Sequence, residues 1–408
     1  MEGKKRVLVF IPEFPALTET FIEREISKLI ERGNVDINVI SLKKGRGRLS
    51  NNIKDNITYE RLDIFTSISA FFTYLPKLGK LTRIFKELKD SGKGFLEKIY
   101  LFVKAIGYTK IFNQFDPDII YAHFMSTPST IAMISSRILD IPYCISAHAK
   151  DITVEAEYID EKIKSAKFVT ICNRNAYEYL LKVSSMEDSP NVYLIYHGVD
   201  FKTLKEQVPQ FNVKKQVPLL LSIGRLVEKK GYKYLIEASK ILKDRGFAHE
   251  IKIIAGGPLY QNTLMQIKKF KLEDRVEILG EGKGLPFIET AKYFRVADIF
   301  VFPSIETSSG DVDGVANVLL EAAAFKVPII ASDAGGTTEV VINNKTGLVV
   351  PQRDPEKLAN AIQVLLQNKS LGYELAERAY THVSNAFNLD ENVEKIERLL
   401  LKWTLEFL

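Results

Sequence analysis

The stretch LLLSIGRLVEKKGYKYLIEASKIL, residues 219–242, contains the pattern that decides the fold of this chain. It begins with an apolar run of strand length and ends with a segment whose apolar residues recur at helical spacing. A short polar loop between the two carries Arg225 and Lys230. A strand that is apolar on both faces and leads directly into a helix is typical of parallel sheets covered by helices on both sides.

The same alternation of short apolar runs and helical patterns extends over most of the chain. A polar link from Asp200 to Pro218 divides it into two halves. We therefore predict an α/β fold of two doubly wound Rossmann-like domains, residues 1–204 and 205–385, followed by a C-terminal helix over residues 386–408. The other apolar runs are RVLVFI (6–11), INVISL (37–42), DIIYAH (118–123), PYCISAH (142–148), FVTIC (168–172), VYLIY (192–196), EIKIIAGG (250–257), VEILG (276–280), DIFVFPS (298–304), VPIIASD (327–333) and GLVVP (347–351).

Length and composition limit the class of protein. The 408 residues suffice for two domains, and 46% hydrophobic with 26% charged residues is typical of a globular protein rather than a disordered or fibrous one. Cys144 and Cys172, the two cysteines, each lie in an apolar run, which predicts two buried, reduced thiols and a reducing cytoplasm. The chain lacks a stretch of the roughly 18–20 apolar residues that a membrane-spanning helix needs. The start, with only Val7 to Ile11 before Pro12, is too short for a signal-peptide core.

The segment from Arg61 to Lys110 departs from this pattern. It has ten basic residues against four acidic ones, an excess larger than the net charge of +5 of the whole chain, and aromatic residues lie between the charges. Such a mixture suits an amphipathic helical pair on anionic lipid, which would place the protein on the inner face of the plasma membrane. An ordinary solvated face over a local core explains it equally well. Nucleic acid is disfavoured because no nucleic-acid motif accompanies the charge.

Charged residues and glycines follow several of the predicted strands. Arg225 and Lys230 lie at the carboxyl end of a strand and next to a helix N-terminus, where two cations and free backbone N–H groups can bind a diphosphate. The turns Gly256-Gly257-Pro258 and Ala334-Gly335-Gly336 allow either a close backbone approach to a ligand or a tight turn. Neither matches a dinucleotide fingerprint, and the P-loop pattern is absent, which disfavours dehydrogenase and kinase functions.

The stretch GDVDGVANVLLEAAA, residues 310–324, carries two aspartates followed by a helical pattern that contains Glu321. Asp311-Val-Asp313 could bind a metal beside a diphosphate, but Arg225 and Lys230 already supply the neutralising charge, so we expect no metal site here. Asp313 and Glu321 could instead hold different hydroxyls of one polyhydroxyl ligand. Asn317 is the predicted cap of the helix. We expect the backbone amides between Gly314 and Val318 to face the same ligand, which gives as binding residues Gly314, Val315, Asn317, Val318 and Glu321.

Three histidines lie at strand ends in the first half: His123, His148 and His197. Imidazole can donate a hydrogen bond or act as an acid or base near neutral pH. A histidine is more often a structural hydrogen-bonding residue, but three at strand ends favour a functional role for His148.

With these residues identified, the chain resembles the retaining glycosyltransferases of the large bacterial family 4, in particular those of the exopolysaccharide and colanic-acid type. Gly224 to Gly231, GRLVEKKG, is similar to the family's Gly-Arg-x4-Lys-Gly phosphate loop. Asp313 and Glu321 match its Glu-x7-Glu motif, with Asp in place of the first Glu. His197-Gly198-Val199-Asp200 and PEFPALTETFIEREI (12–26) resemble further segments of these proteins. The resemblance implies the GT-B fold, two Rossmann-like domains that face each other across a cleft.

The resemblance also implies roles for the residues. Arg225 and Lys230 would bind the donor diphosphate, Glu321 the ribose, Asp313 the donor sugar and its developing positive charge, and His148 the donor sugar, so that the implied catalytic residues are His148, Asp313, Arg225 and Lys230. The donor would be a UDP- or GDP-linked sugar, with no further cofactor and no metal ion. Asp at position 313 is one bond shorter than the family's Glu, and Gly256 replaces the usual acid of the Gly-Gly-Pro turn. The C-terminal helix would pack on the first domain.

The resulting expectation is a metal-independent, retaining hexosyltransferase that acts on a glycan or a lipid-linked acceptor in surface polysaccharide synthesis. Three alternatives stay open at this point. A catalytically silent nucleotide-sugar-binding subunit would bind the donor without turnover, and a sugar-nucleotide epimerase of the same fold would need no acceptor. A glycogen- or starch-type synthase would elongate a soluble glucan.

Overall fold

A computed structural model describes residues 3–16, 19–47, 49–60, 62–88, 94–148, 150–153, 157–184, 190–201, 204, 206, 208 and 216–405. The chain forms two compact units. The first comprises Met1–Gly198 and Leu389–Leu408, and the second comprises Val199–Asn388. Residue 205, at which the sequence predicted the second domain to begin, and most of the predicted polar link lie outside the described residues.

The first unit is built on a seven-stranded parallel sheet with the strand order β3-β2-β1-β4-β5-β6-β7. Among the described residues before Val199, α-helices in chain order connect or cover the strands. The strands are β1 (Lys5–Phe14), β2 (Val35–Lys44), β3 (Ile57–Tyr59), β4 (Ile119–His123), β5 (Tyr143–Ala147), β6 (Val169–Ile171) and β7 (Val192–Leu194), and the helices are α1 (Thr20–Arg32), α2 (Ile64–Tyr74), α3 (Leu78–Glu87), α4 (Phe95–Asn113), α5 (Thr127–Leu139), α6 (Lys150–Thr153), α7 (Ile159–Ser165) and α8 (Arg174–Val183).

The second unit repeats the plan with six parallel strands in the order β10-β9-β8-β11-β12-β13. The strands are β8 (Leu219–Arg225), β9 (Glu250–Gly256), β10 (Val276–Gly282), β11 (Ile299–Phe302), β12 (Ile329–Ser332) and β13 (Leu348–Val350), and the helices are α9 (Tyr232–Asp244), α10 (Tyr260–Lys269), α11 (Phe287–Phe294), α12 (Asn317–Ala324), α13 (Thr337–Val340), α14 (Pro355–Gln367) and α15 (Lys369–Ala386).

Both faces of the first sheet are buried, which explains why its strands are continuously apolar. Leu8 and Phe10 of β1 belong to the core cluster on one face, whereas Val7 and Val9 belong to a separate cluster on the other. Alternate residues of a strand point to opposite faces, so a strand covered on both sides needs apolar residues at every position. The predicted fold class, two parallel-sheet α/β domains, is confirmed.

The last helix, α16 (Leu389–Leu405), packs with the first unit, against α1. Val393, Ile396 and Leu400 of this helix are buried in one of that unit's core clusters. Glu397 accepts hydrogen bonds from Arg32 Nε at 3.0 Å and from Asn34 Nδ2 at 3.1 Å. After the second unit, the chain therefore returns to the first unit, and its last helix completes that unit's core.

The basic segment between residues 61 and 110 forms three helices, α2, α3 and α4, rather than the predicted helical pair. No helix within the described part of the chain combines the length and the apolar character needed to cross a lipid bilayer.

Candidate active site

The candidate site of the second unit lies where β8 and β11 end. The loop after β8 carries Lys229 and Lys230, and the loop after β11 carries Asp311 and Asp313. The two strands are neighbours in the parallel sheet, and their loops therefore emerge at the same edge. The sequence predicted residues of both loops for one site, and the structure brings them together.

Two lysine–aspartate contacts join the loops. Lys230 Nζ lies 2.8 Å from Asp313 Oδ2, and Lys229 Nζ lies 2.9 Å from Asp311 Oδ1 and 3.5 Å from Asp313 Oδ1. The side chains of Lys230 and Asp313 are only 12% and 14% exposed, which shields this pair from solvent more than the pair with the half-exposed Asp311. Each aspartate is thus neutralised by an ammonium group. Lys229 was not among the residues predicted from the sequence.

Gly231 determines the conformation of the loop after β8, residues 226–231, which we call the lysine loop. Its φ of +61° is in the left-handed region, and a Cβ placed there would lie 1.8 Å from the carbonyl oxygen of Pro303. The amide of Ile305 donates to the carbonyl of Lys229 at 2.7 Å, which joins the loop to the chain after β11. Only glycine meets both the dihedral and the steric requirement, so this loop conformation needs Gly at position 231.

The loop after β11, residues 303–316, which we call the aspartate loop, also contacts the Ala334-Gly335-Gly336 turn. The amide of Gly336 donates to the carbonyl oxygen of Asp313 at 3.0 Å. A Cβ on Gly336 would lie 2.7 Å from the carbonyl carbon of Gly314. In this structure the two glycines therefore allow close packing of one loop against another.

The helix that follows, α12, begins at Asn317, but the predicted cap is wrong. The N-cap is Ala316, which has an extended backbone and no side-chain acceptor, while Asn317 already has a helical position. No side chain caps the helix, so none competes with a ligand for the first N–H groups. Glu321 is buried, 6% exposed, one turn further along the helix. The positions of Gly314, Val315 and Val318, between the aspartate loop and this first turn, fit the predicted grouping, although their binding role stays a prediction.

Arg225 is the last residue of β8 and is exposed. Among the described residues no carboxylate lies within ion-pair distance of its guanidinium. Its predicted role as a second cation for a diphosphate stays a prediction, and its position at the strand end is the one that the sequence indicated.

In the first unit, His148, Cys172 and His197 follow the neighbouring strands β5, β6 and β7. His148 Nδ1 lies 3.1 Å from His197 Nε2, and Cys172 Sγ lies 3.7 Å from His148 Nδ1. The prediction of two core thiols needs a correction, because Cys144 is buried in β5 but Cys172 lies just beyond β6 and is half-buried. Sequence reasoning selected His148 but assigned no role to Cys172.

A buried carboxylate adjoins these histidines. Glu25 of α1 accepts a hydrogen bond from the Tyr121 hydroxyl at 2.8 Å, and its two oxygens lie 3.8 Å from His123 Nε2 and 3.8 Å from His197 Nδ1. Burial raises the pKa of Glu25 to about 7, and the hydrogen bond from Tyr121 partly opposes that rise. The sequence carried one signal for this residue: an acid on the apolar face of α1, beside Ile22 and Ile26.

Burial also keeps the histidines neutral. It lowers the pKa of His148 to about 3, and it holds the pKa of His123 and His197 well below the usual range, to which the neighbouring imidazoles contribute. The backbone amide of His148 donates to the buried Asp151 carboxylate at 2.9 Å, and that carboxylate also accepts from the amide of Met125 at 2.6 Å. Asp151 therefore holds the loop that presents His148.

Comparison with known proteins agrees with the fold. Residues 203–382 match the family model "Glycosyl transferases group 1". The chain is 24% identical over 429 aligned positions to a putative colanic acid biosynthesis glycosyltransferase, WcaL, of Salmonella typhimurium, covering 97% of this chain and 98% of that one. It is 34% identical to the amylovoran biosynthesis glycosyltransferase AmsK of Erwinia amylovora over 44% of each chain.

A solved structure shows the same two-domain architecture. HepE of Anabaena, solved in complex with UDP, superposes with a TM-score of 0.68 at 17% identity, covering 98% of this chain and 100% of that one. The same protein has been solved with UDP-glucose. The comparisons agree with the resemblance to the family-4 exopolysaccharide type: the chain has a GT-B fold, its residues 203–382 match the glycosyl transferases group 1 model, and the relatives WcaL and AmsK are named as glycosyltransferases of polysaccharide biosynthesis.

Proposed function

We propose that the protein is a retaining glycosyltransferase that moves a hexosyl group from a UDP- or GDP-linked sugar to a glycan or lipid-linked acceptor in surface polysaccharide synthesis. The observation that carries the proposal is the loop pair of the second unit, in which Lys230 and Asp313 meet 2.8 Å apart beside the uncapped start of α12. A diphosphate and the sugar attached to it are neighbours in the donor, and so are a cation and a carboxylate here.

In the proposed reaction, catalysis consists mainly of stabilising the diphosphate as it leaves. Lys230 and Arg225 stabilise the negative charge that develops on the diphosphate, and the first amides of α12 add their dipoles. Asp313 stabilises the positive charge at the anomeric carbon, while Glu321 binds the ribose. The acceptor hydroxyl attacks from the face that the diphosphate leaves, and its proton passes to a phosphate oxygen. The anomeric configuration is then retained.

Metal independence of this step is part of the proposal. A metal at Asp311 and Asp313 would have to displace the ammonium groups of Lys229 and Lys230, which lie 2.9 Å and 2.8 Å from the carboxylates. Lysine ammonium groups can neutralise a diphosphate as point charges. The role of His148 in holding the donor sugar rests on the family resemblance.

The first prediction concerns Lys230. We expect Lys230→Ala to lower turnover about 100- to 1,000-fold, the loss that follows removal of one preorganised group from a transition-state charge. Lys229→Ala is the matched control, because Lys229 pairs with the more exposed Asp311, and we expect a change below about tenfold. Release of UDP or GDP from a series of nucleotide sugars, with EDTA present, measures both variants. Undiminished turnover of Lys230→Ala would contradict the assignment, and NMR of the product's anomeric proton tests retention.

We also propose that the first unit docks on an anionic membrane surface, where a lipid-linked acceptor would lie. Two helices that pack together, α2 and α4, each expose an apolar stripe. In α2, Phe65, Ile68 and Phe72 follow one another at intervals of three or four positions, and in α4 the exposed residues occur in successive turns. The exposed apolar residues are Phe65, Ile68, Phe71 and Phe72 of α2, Leu75 just after it, and Phe95, Leu96, Ile99, Tyr100 and Val103 of α4.

These apolar side chains are so exposed that we expect them to contact another apolar surface. Phe65 is 84% exposed and Leu96 is 81% exposed. Exposed cations lie on the same group of helices, including Arg83 and Lys86 of α3. Apolar stripes accompanied by basic side chains fit the interface of a bilayer that contains anionic lipid.

The second prediction tests this docking surface. We expect the chain to float with vesicles that contain phosphatidylglycerol and to lose at least tenfold in partitioning when Phe72 and Leu96 are both changed to Ser, since each apolar side chain contributes about 1.5–3 kcal/mol when buried. Met265 and Tyr373, 62% and 66% exposed in the second unit, provide a matched control when changed to Ser. Equal flotation of all three proteins, or none with the wild type, would contradict membrane docking.

A further inference from the structure

The three side chains at the ends of β5, β6 and β7 have the separations of a metal-ligand set. One ligand atom each of His148, Cys172 and His197 lies within 4.8 Å of the other two. His148 Nδ1 is 3.1 Å from His197 Nε2 and 3.7 Å from Cys172 Sγ. Tetrahedral zinc with Zn–N bonds of about 2.0–2.1 Å and a Zn–S bond of about 2.3 Å separates two nitrogens by about 3.4 Å and a nitrogen from the sulfur by about 3.6 Å. The two separations from His148 Nδ1, 3.1 Å to the second nitrogen and 3.7 Å to the sulfur, are close to these.

The surroundings of the three ligands also fit a metal. His197 presents Nε2 to the cluster, and its other nitrogen, Nδ1, lies 3.8 Å from the buried carboxylate of Glu25. A histidine that binds a metal through one nitrogen commonly faces a carboxylate with the other. Phe21 stacks on the His197 ring at 4.0 Å between centroids, and Phe124 lies 4.8 Å from the His148 ring, so apolar groups limit access of water.

The contact between the two histidines allows two states of the cluster. A metal binds the neutral form of imidazole, through the lone pair of a ring nitrogen. In the absence of a metal the two rings share one hydrogen bond across 3.1 Å, and the cluster would then be a structural contact only. The two possibilities differ in whether a metal ion displaces that hydrogen-bonding proton and the proton of the Cys172 thiol.

We infer that the first unit binds one divalent transition-metal ion, of which Zn²⁺ fits best, through His148 Nδ1, Cys172 Sγ and His197 Nε2. Two nitrogens and one thiolate are ligands that zinc prefers, and three protein ligands leave a fourth position for water or another oxygen ligand. Glu25 acts as a positioning residue for His197. The ion joins the ends of three adjacent strands. This inference shares His148 with the proposed function but needs neither the donor nor its transfer, and the diphosphate chemistry of that function takes place without this ion.

The test uses the full chain and measures metal content first. After exposure to Zn²⁺ and dialysis against metal-free buffer, we expect close to one zinc per chain in the wild type and in Cys144→Ala, which removes the buried cysteine of β5. Cys172→Ser should retain less than a tenth as much. Glu25→Gln should weaken the affinity about 10- to 100-fold, the usual loss when a carboxylate behind a ligand histidine is removed.

Cobalt provides a measurement that needs no variant to fold. Co²⁺ in this site should give visible bands of tetrahedral cobalt and an ultraviolet thiolate-to-cobalt band, and Cys144→Ala should leave both unchanged. Zinc should raise the unfolding temperature of the wild type but not that of Cys172→Ser. A folded wild type with no bound metal and no thiolate band overturns the inference. So does zinc that survives in Cys172→Ser but is lost in Asp311→Asn, which would place the metal at the aspartate loop.

Discussion

At the scale of single residues, the backbone of Gly231 predicts a large effect from a small substitution. Gly231→Ala combines a φ of +61° with a Cβ that would lie 1.8 Å from the carbonyl oxygen of Pro303. The dihedral alone costs about 1 kcal/mol, and displacement of the backbone carbonyl adds to it, so we expect a loss of about 2–4 kcal/mol in the free energy of unfolding. Urea denaturation measures it.

Gly246→Ala is the matched control for this prediction. Gly246 has a φ of +78° but no atom within 4 Å of its added Cβ, so the control isolates the dihedral cost. We expect it to lose about 1 kcal/mol. If both variants lose the same amount, the contact with Pro303 does not determine the loop.

The residue scale also shows where prediction from the sequence ends. Lys230 and Asp313 could be predicted because each follows an apolar strand, and strand ends share one edge of a parallel sheet. Their ion pair could not, because 83 positions separate them and the loop conformations decide which lysine meets which aspartate. Glu25 gave a weaker signal, an acid among apolar residues of α1, and its neighbours across the sheet are visible only in the fold.

At the scale of elements, one buried acid adds to the apolar attachment of α16. Glu397 is 3% exposed and accepts from both Arg32 and Asn34. Glu397→Ala removes both bonds and leaves a half-buried guanidinium with one fewer partner, which should cost about 2–3 kcal/mol. Urea denaturation, with proteolysis near the C-terminus as a second measurement, checks the loss. Glu394→Ala is the control: Glu394 is 36% exposed and lies 3.7 Å from Arg32, so a loss as large as that of Glu397→Ala would contradict the argument.

Long, buried helices and strands were easier to predict from the sequence than short or edge elements. All twelve apolar runs identified in the sequence form strands of the two sheets, because strands buried on both faces must be apolar throughout. The strand that was missed, β3, has three residues, Ile57–Tyr59, and lies at the edge of its sheet, where no continuous apolar run is needed. Helices were predicted for the basic segment, but their number depended on the turn near Pro76, between α2 and α3.

At the scale of the whole molecule, each unit has its own sheet and its own buried core, so ligands of one unit should stabilise that unit first. Calorimetry of the full chain should therefore show two transitions: one whose unfolding temperature Gly231→Ala lowers and one whose unfolding temperature Glu397→Ala lowers.

A donor nucleotide at about 100 times its dissociation constant stabilises the unit that binds it by roughly 2.7 kcal/mol, which raises the unfolding temperature of a unit of this size by about 5–11 °C. We expect UDP or GDP, in the presence of EDTA, to raise the transition that is sensitive to Gly231→Ala. A nucleotide that raised only the transition sensitive to Glu397→Ala would place the donor site in the wrong unit, and a single transition lowered equally by both variants would mean that the two units unfold together.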